Sequence, residues 1–221
     1  GRPAPGDVHL VIMEDGAHIL PDGTKVEAQK YLETGTTKSA DWNVMTKRNY
    51  THTYTTPVVV GQVMSYNDSN YSVFWCCNGT RSTPPTPLAL YTGKHIGQDV
   101  NIHRKSEVIG YIVFEQGTGI TEGITYEAAR GDRIVEGVEI WEKDPPYSMN
   151  LPGEYMVGIA TINGMQGIDG GWPVLYGPNP ISKTISLAIE EDLLGDAERG
   201  HQSERVVVWV FDDEGLIAAR P

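Results

Sequence analysis

Two short stretches of this chain each bring a histidine, a serine and a glutamate together. They are His103, Ser106 and Glu107, and, about a hundred residues further on, His201, Ser203 and Glu204. These are the residue types of a hydrolytic triad, in which a carboxylate orients an imidazole that takes a proton from a hydroxyl nucleophile. The spacing argues against that chemistry. Each serine is adjacent to its glutamate, and each pair opens an apolar run, Val108-Ile-Gly-Tyr-Ile-Val-Phe114 or Val206-Val-Val-Trp-Val-Phe211, that reads as a strand. Neighbouring side chains on a strand leave opposite faces, whereas a triad must converge. The expectation is therefore no catalytic residue and no enzyme. His103, Glu107, His201 and Glu204 are expected to act as struts at a strand entry, through histidine–backbone or histidine–carboxylate hydrogen bonds.

Other groups have chemistry of their own. Cys76 and Cys77 are the only cysteines and are adjacent. They can close a strained vicinal disulfide or remain buried thiols, and they exclude a disulfide-dense scaffold. The acidic groups Glu190, Glu191, Asp192, Asp196 and Glu198, and Asp212, Asp213 and Glu214, offer oxygens suited to Ca²⁺. Neither follows a calcium-loop order, so solvated acidic turns are expected, with no metal and no cofactor. Trp172 sits among glycines, either as a sugar- or protein-contact residue or tucked inward from a hairpin loop.

Four Asn-x-Ser/Thr sequons, at Asn49, Asn67, Asn70 and Asn78, fall within about thirty residues. Crowded together, they suggest a glycosylated face on a secreted, extracellular chain; the alternative is that polar residues simply populate turns. A net charge of −12 excludes nucleic acid and anionic membranes as expected partners, because phosphate recognition needs clustered Lys and Arg. No run is long and apolar enough for membrane insertion, and without an initiator Met the chain reads as mature and processed.

The elements that position these residues repeat. Before the two histidine stretches, Leu88-Ala-Leu90 answers Leu187-Ala-Ile189, Val59-Val-Gly-Gln-Val63 answers Met156-Val-Gly-Ile-Ala160, and Tyr31-Leu-Glu-Thr-Gly35 answers Tyr126-Glu-Ala-Ala-Arg-Gly131. A third partial copy opens the chain: His9-Leu-Val-Ile-Met-Glu-Asp-Gly16 and Asp22-Gly-Thr-Lys-Val-Glu-Ala28 resemble Tyr111–Gly117 and Glu122–Ala128. Such repetition marks a duplication. Strand signals dominate over 57–66, 71–75, 107–115, 181–189 and 205–211; only 188–198 offers a short helix, and its counterpart in the first copy contains Gly93 and Gly97, which argues against it. The expected fold is all-β: two tandem antiparallel β-sandwich domains of jelly-roll or Ig-like kind, at 24–117 and 118–221, with an extra N-terminal strand or arm in 1–23. The runs at 8–13, 109–114 and 206–211 barely alternate, so each asks for burial on both faces, against a sister module or another subunit.

Glu33-Thr-Gly, Asp41-Trp42, Pro57-Val-Val-Val and the stretch from His103 to Gly117 together resemble the H-type lectin-like β-sandwich repeats of extracellular proteins. The resemblance covers most of the first module and, more loosely, the second, where Tyr155-Met-Val replaces Pro-Val-Val. It implies assembly through the sandwiches and binding of GalNAc-type sugars at intersubunit clefts, and no sugar-contact residue carries over.

The spare strand Val8-His9-Leu10-Val11-Ile12-Met13 has three available fates. It can pair with its own module, be the remnant of a longer array, or complete a sheet in a neighbouring copy. The last defines the expected function: a non-enzymatic, glycosylated structural protein that polymerises with itself head-to-tail, with Arg2-Pro-Ala-Pro5 as an extended leader. The alternative is a carbohydrate-binding module of H-type-lectin-like kind, with glycans as partners.

Overall fold

The computed structural model describes residues 8–42, 45–139, 145–177, 180–195 and 197–218. The leader Arg2–Pro5 and Asp196 lie outside them. Among the described residues the chain forms fourteen strands and no helix. β1 (Gly16–Ile19), β2 (Lys25–Glu33), β7 (Glu107–Glu115) and β4 (Pro57–Val63) make an antiparallel sheet in the order β1-β2-β7-β4. β3 (Thr46–Arg48), β6 (Leu90–His95) and β5 (Val73–Cys77) make a second, in the order β3-β6-β5.

The later half repeats both orders. β8 (Gly117–Thr121), β9 (Ile124–Val135), β14 (Glu204–Phe211) and β11 (Val157–Ile162) run β8-β9-β14-β11, while β10 (Tyr147–Asn150), β13 (Thr184–Glu191) and β12 (Gly171–Leu175) run β10-β13-β12. The β8–β9 hairpin turns on Glu122 and Gly123, at φ of 51° and 83°. Two positive φ values define the tight turn whose twist matches a hairpin, and glycine adopts one without strain.

The ladders correct the sequence alignment. Phe114 stands opposite Val26 and Val58, and Phe211 opposite Tyr126 and Val157. Counting from these phenylalanines, Glu27-Ala28 matches Glu127-Ala128, and Gly61 matches Ala160. The matches of Tyr31 to Tyr126 and of Gly61 to Gly158 are out of register, because local likeness does not count the residues between ladder partners. The segment expected as a strand from 181 begins at Thr184, and residues 188–191 end β13 instead of starting a helix. β1 and β2 form one hairpin across the boundary drawn at residue 24, and β8 spans the one drawn at 118.

The strand pleat explains the unalternating runs. On β7, Ile109, Tyr111 and Val113 pack with Phe74, Cys76 and Leu90. Its Phe114 faces the other way and meets Trp209 and Phe211. On β14, Val206, Val208 and Val210 pack with Ile185, Leu187 and Ile189, while Val207, Trp209 and Phe211 join Val26, Val58 and Val60. The two four-stranded sheets therefore stack against each other, each covering the second face of the other's central strand. Fully burying one large apolar side chain contributes about 1.5–3 kcal/mol.

Polar contacts lock this stack at the edge of β4. The Asn163 side chain is buried; its Nδ2 donates to the Val59 carbonyl at 2.7 Å, and its Oδ1 accepts from the Val59 amide at 3.3 Å. An amide side chain thus supplies what the next strand would have supplied. Thr161 Oγ1 donates to the same carbonyl at 2.9 Å, and Arg130 Nη2 reaches the carbonyls of Pro57 and Pro85 at 2.6 and 3.1 Å.

Candidate functional site

Residues 8–13 lie across the junction of the two four-stranded sheets. Val8, Leu10 and Ile12 are 79%, 71% and 89% exposed, while Val11 and Met13 pack on the cluster around Trp209. Exposed and half-buried side chains alternate along the segment, as they do on an extended chain, yet it belongs to no ladder among the described residues, which corrects the expectation of a strand. A side chain stands in for the missing ladder bond: the Gly158 amide on the edge strand β11 donates to His9 Nδ1 at 3.1 Å. Open space flanks the segment on both sides. One groove of about 600 Å³ is lined by Leu20, Ile124, Val157, Trp209 and Phe211. The other, of about 460 Å³, is lined by Ala28, Val60, Gly61, Ile112 and Ile159.

The two glutamates that open β7 and β14 have the same task. Glu107 is buried and accepts hydrogen bonds from the amides of Asn67 and Asp68 at 3.1 and 2.8 Å, and from Ser65 Oγ. Glu204 is buried and accepts from the amides of Gln166 and Gly167, each at 2.8 Å. Each carboxylate ties down the loop that follows β4 or β11, where backbone N–H groups have no strand partner.

Their histidines differ. His201 is buried with Nε2 3.1 Å from Glu204 Oε1 and Nδ1 2.8 Å from Glu191 Oε2. His103 is exposed, and no contact joins it to Glu107, so its expected role as a strut is corrected. The reason is arithmetic: three residues separate His103 from Glu107 and two separate His201 from Glu204. The extra residue carries the imidazole away, and the buried Lys94 of β6 supplies the positive charge near Glu107 instead. The serines do not join the histidines. Ser203 Oγ donates to Glu136 at 2.8 Å, and the Ser106 carbonyl accepts from Asn67 Nδ2 at 2.9 Å.

Electrostatics follow from this packing. Burial pulls the His201 pKa down, but the hydrogen bonds and charges of Glu191 and Glu204 outweigh it and raise the value to about 9. Burial pushes the Glu191 carboxyl up, against the opposing pull of His201. His95 goes the other way: burial lowers it to about 4. Its Nδ1 accepts from the Gly97 amide at 2.9 Å while the ring stacks on Trp42.

Beside His201 stands Asp169, half-buried in the loop before β12. One ligand atom each from Asp169, Glu191 and His201 all lie within 4.8 Å of one another. Reading the sequence as acidic turns missed this. The signal was the alternation Ile185, Leu187, Ile189, Glu191, which points Glu191 inward with the aliphatic residues before it. Of the rest of that cluster, Glu190 pairs with Arg199 on the opposite side of β13, and Asp192 Oδ2 accepts from the Gln98 amide.

Cys76 and Cys77 are buried free thiols. The pleat of β5 sends Cys76 into the cluster with Tyr111 and Cys77 into the one with Trp75, so the vicinal disulfide is not formed. Burial pushes the Cys76 thiol far up and Cys77 to about 11. Asn49, Asn67 and Asn70 are exposed and Asn78 is half-buried. The Nδ2 groups of Asn67 and Asn70 are already engaged, by the Ser106 carbonyl and by Asp68. Trp172 is half-buried on β12 and meets Tyr71 edge-on, with ring centroids 6.1 Å apart. No family model, no curated protein and no solved structure matches this chain.

Proposed function

We propose that the chain is a non-enzymatic structural protein of two β-sandwich modules, which joins copies of itself head-to-tail by passing residues 8–13 into a neighbour's groove. The observation that carries this reading is the exposure of Val8, Leu10 and Ile12 on an extended segment with no ladder. An apolar extended segment beside open strand edges is a template for pairing with another chain. Its sequence resembles the apolar runs of β7 and β14, strands that fill inner positions of the two four-stranded sheets. The groove already accepts Val11 and Met13 from its own chain, so the same contacts made between chains cost little beyond the entropy of association. Gly16, at φ 132°, supplies a pivot between the segment and β1.

In this reading the protein is extracellular and glycosylated, and Asn49 is its first acceptor because Asn67 and Asn70 hold their loop. The likeness to H-type lectin repeats is then one of architecture. Binding of sugars has less support, since the aromatic residue offered for stacking, Trp172, is half-buried against Tyr71.

Sedimentation velocity and negative-stain microscopy of the full chain, beside Leu10→Glu and Ile12→Glu, test the proposal. The expected result is concentration-dependent open polymers that both substitutions abolish without lowering the melting temperature. A wild-type chain that stays monomeric at its highest soluble concentration, or variants that polymerise equally, would overturn it.

A further inference from the structure

We propose that Asp169, Glu191 and His201 form a binding site for a divalent transition cation, with Glu204 orienting the histidine. The set departs from the expectation of no metal in this chain, and it is independent of polymerisation. One imidazole nitrogen and two carboxylate oxygens suit zinc and its first-row neighbours, which take nitrogen and oxygen donors at about 2.0–2.2 Å. The three donor atoms lie within 4.8 Å of one another. Tetrahedral ligands at those bond lengths stand about 3.3 Å apart. Closing the site therefore draws in Asp169, the half-buried loop residue, and opens the 2.8 Å contact of His201 Nδ1 with Glu191 slightly.

The surroundings are those of a built site. Glu204 accepts from the Gln166 and Gly167 amides and lies 3.1 Å from His201 Nε2, so it fixes the ring and leaves Nδ1 facing Glu191. A carboxylate behind a ligating histidine is the usual means of orienting it and raising its basicity. Glycines make room for the ring: a Cβ on Gly167 or Gly171 would come within 2.3 or 3.0 Å of its Cε1. The Glu191 side chain is 1% exposed and its Oε2 lies 2.8 Å from His201 Nδ1, so carboxylate and ring are already held against each other in the interior.

Charge completes the argument. Both nitrogens of the His201 ring face carboxylates, those of Glu191 and Glu204, with Asp169 beside them and Glu198 nearby. From the other half of the chain, His95 and Arg81 approach the same region. A divalent ion among these acids would offset their concentrated negative charge. The exchange balances: the Nδ1–H bond breaks, the proton leaves to solvent, Nδ1 binds the ion, and Glu191 changes from hydrogen-bond acceptor to ligand.

Titrating chelator-treated full-length chain with Zn²⁺, in two buffers of different ionisation enthalpy, tests the proposal. The expected result is one ion bound per chain, close to one proton released per ion, and a higher melting temperature. Co²⁺ in place of Zn²⁺ should give the visible absorption of a low-coordinate nitrogen–oxygen site. Asp169→Asn should weaken binding at least tenfold, whereas Glu190→Gln, on the other side of β13, should bind as the parent does. No saturable binding, binding without proton release, or equal binding by Asp169→Asn would overturn the proposal. The proton count and the Co²⁺ spectrum need no variant, so a poorly folding mutant does not leave the question open.

Discussion

Phe114 of β7 and Trp209 of β14 lie ring against ring, centroids 3.5 Å apart, where the two four-stranded sheets stack. Tyr126 and Phe211 pack around the same indole, 6.4 and 4.5 Å away between centroids. This cluster belongs to neither half alone, so the halves are expected to unfold together. Trp209→Ala should cost about 3–5 kcal/mol, a large part of an ordinary domain's stability. Trp209→Phe should cost much less, because the buried indole N–H has no partner to lose. Urea denaturation checks both; two well-separated transitions in the parent chain would contradict the shared core.

Asn163 is the polar counterpart of that contact. Asn163→Leu keeps the volume but strips the Val59 amide and carbonyl of its side-chain amide. An orphaned buried backbone group costs about 1–3 kcal/mol. Hydrogen exchange at the Val59 amide should accelerate strongly in this variant. An unchanged rate would mean that the amide is protected by something else.

His201 makes stability depend on pH in a defined window. In metal-free protein its folded pKa of about 9 lies above the 6.5 of the free side chain. A raised value means that its contribution is fully present below about 6.5 and is lost as pH rises through about 9. At about 1.4 kcal/mol per pKa unit, that contribution is roughly 3 kcal/mol. Denaturation midpoints of chelated protein should fall between pH 7 and 10 by more than in His201→Gln. Parallel pH profiles for the two would show that the imidazole is not charged.

The thiols should be inert. Cys76 and Cys77 are buried, and burial disfavours both thiolates, which are the reactive forms. Iodoacetamide at pH 8 should label neither in the native chain and both in denaturant, with Cys77 reacting first under partial denaturation. Rapid native labelling of either would contradict the packing of β5.

Much of the architecture is legible in the amino-acid order. Duplication, all-β character and the two-faced burial of 109–114 and 206–211 follow from repeated residues and from a period of two that fails. The site was less legible. His103 and His201 look equivalent, yet one extra residue leaves the first in solvent. Glu191 looked like part of a solvated acidic turn, although its spacing from Ile185, Leu187 and Ile189 already pointed it inward.

By itself, then, the amino-acid order determined where strands form and which of them need cover on both faces, because backbone pleat and side-chain size act over a few residues. The tertiary structure alone decided what supplies the cover. Each four-stranded sheet finds it on the other, Asn163 completes the edge of β4, and residues 8–13 stay half-exposed without a ladder. Those outcomes depend on surfaces brought together from distant parts of the chain, where register and the room beside each side chain exist only once the sheets have stacked.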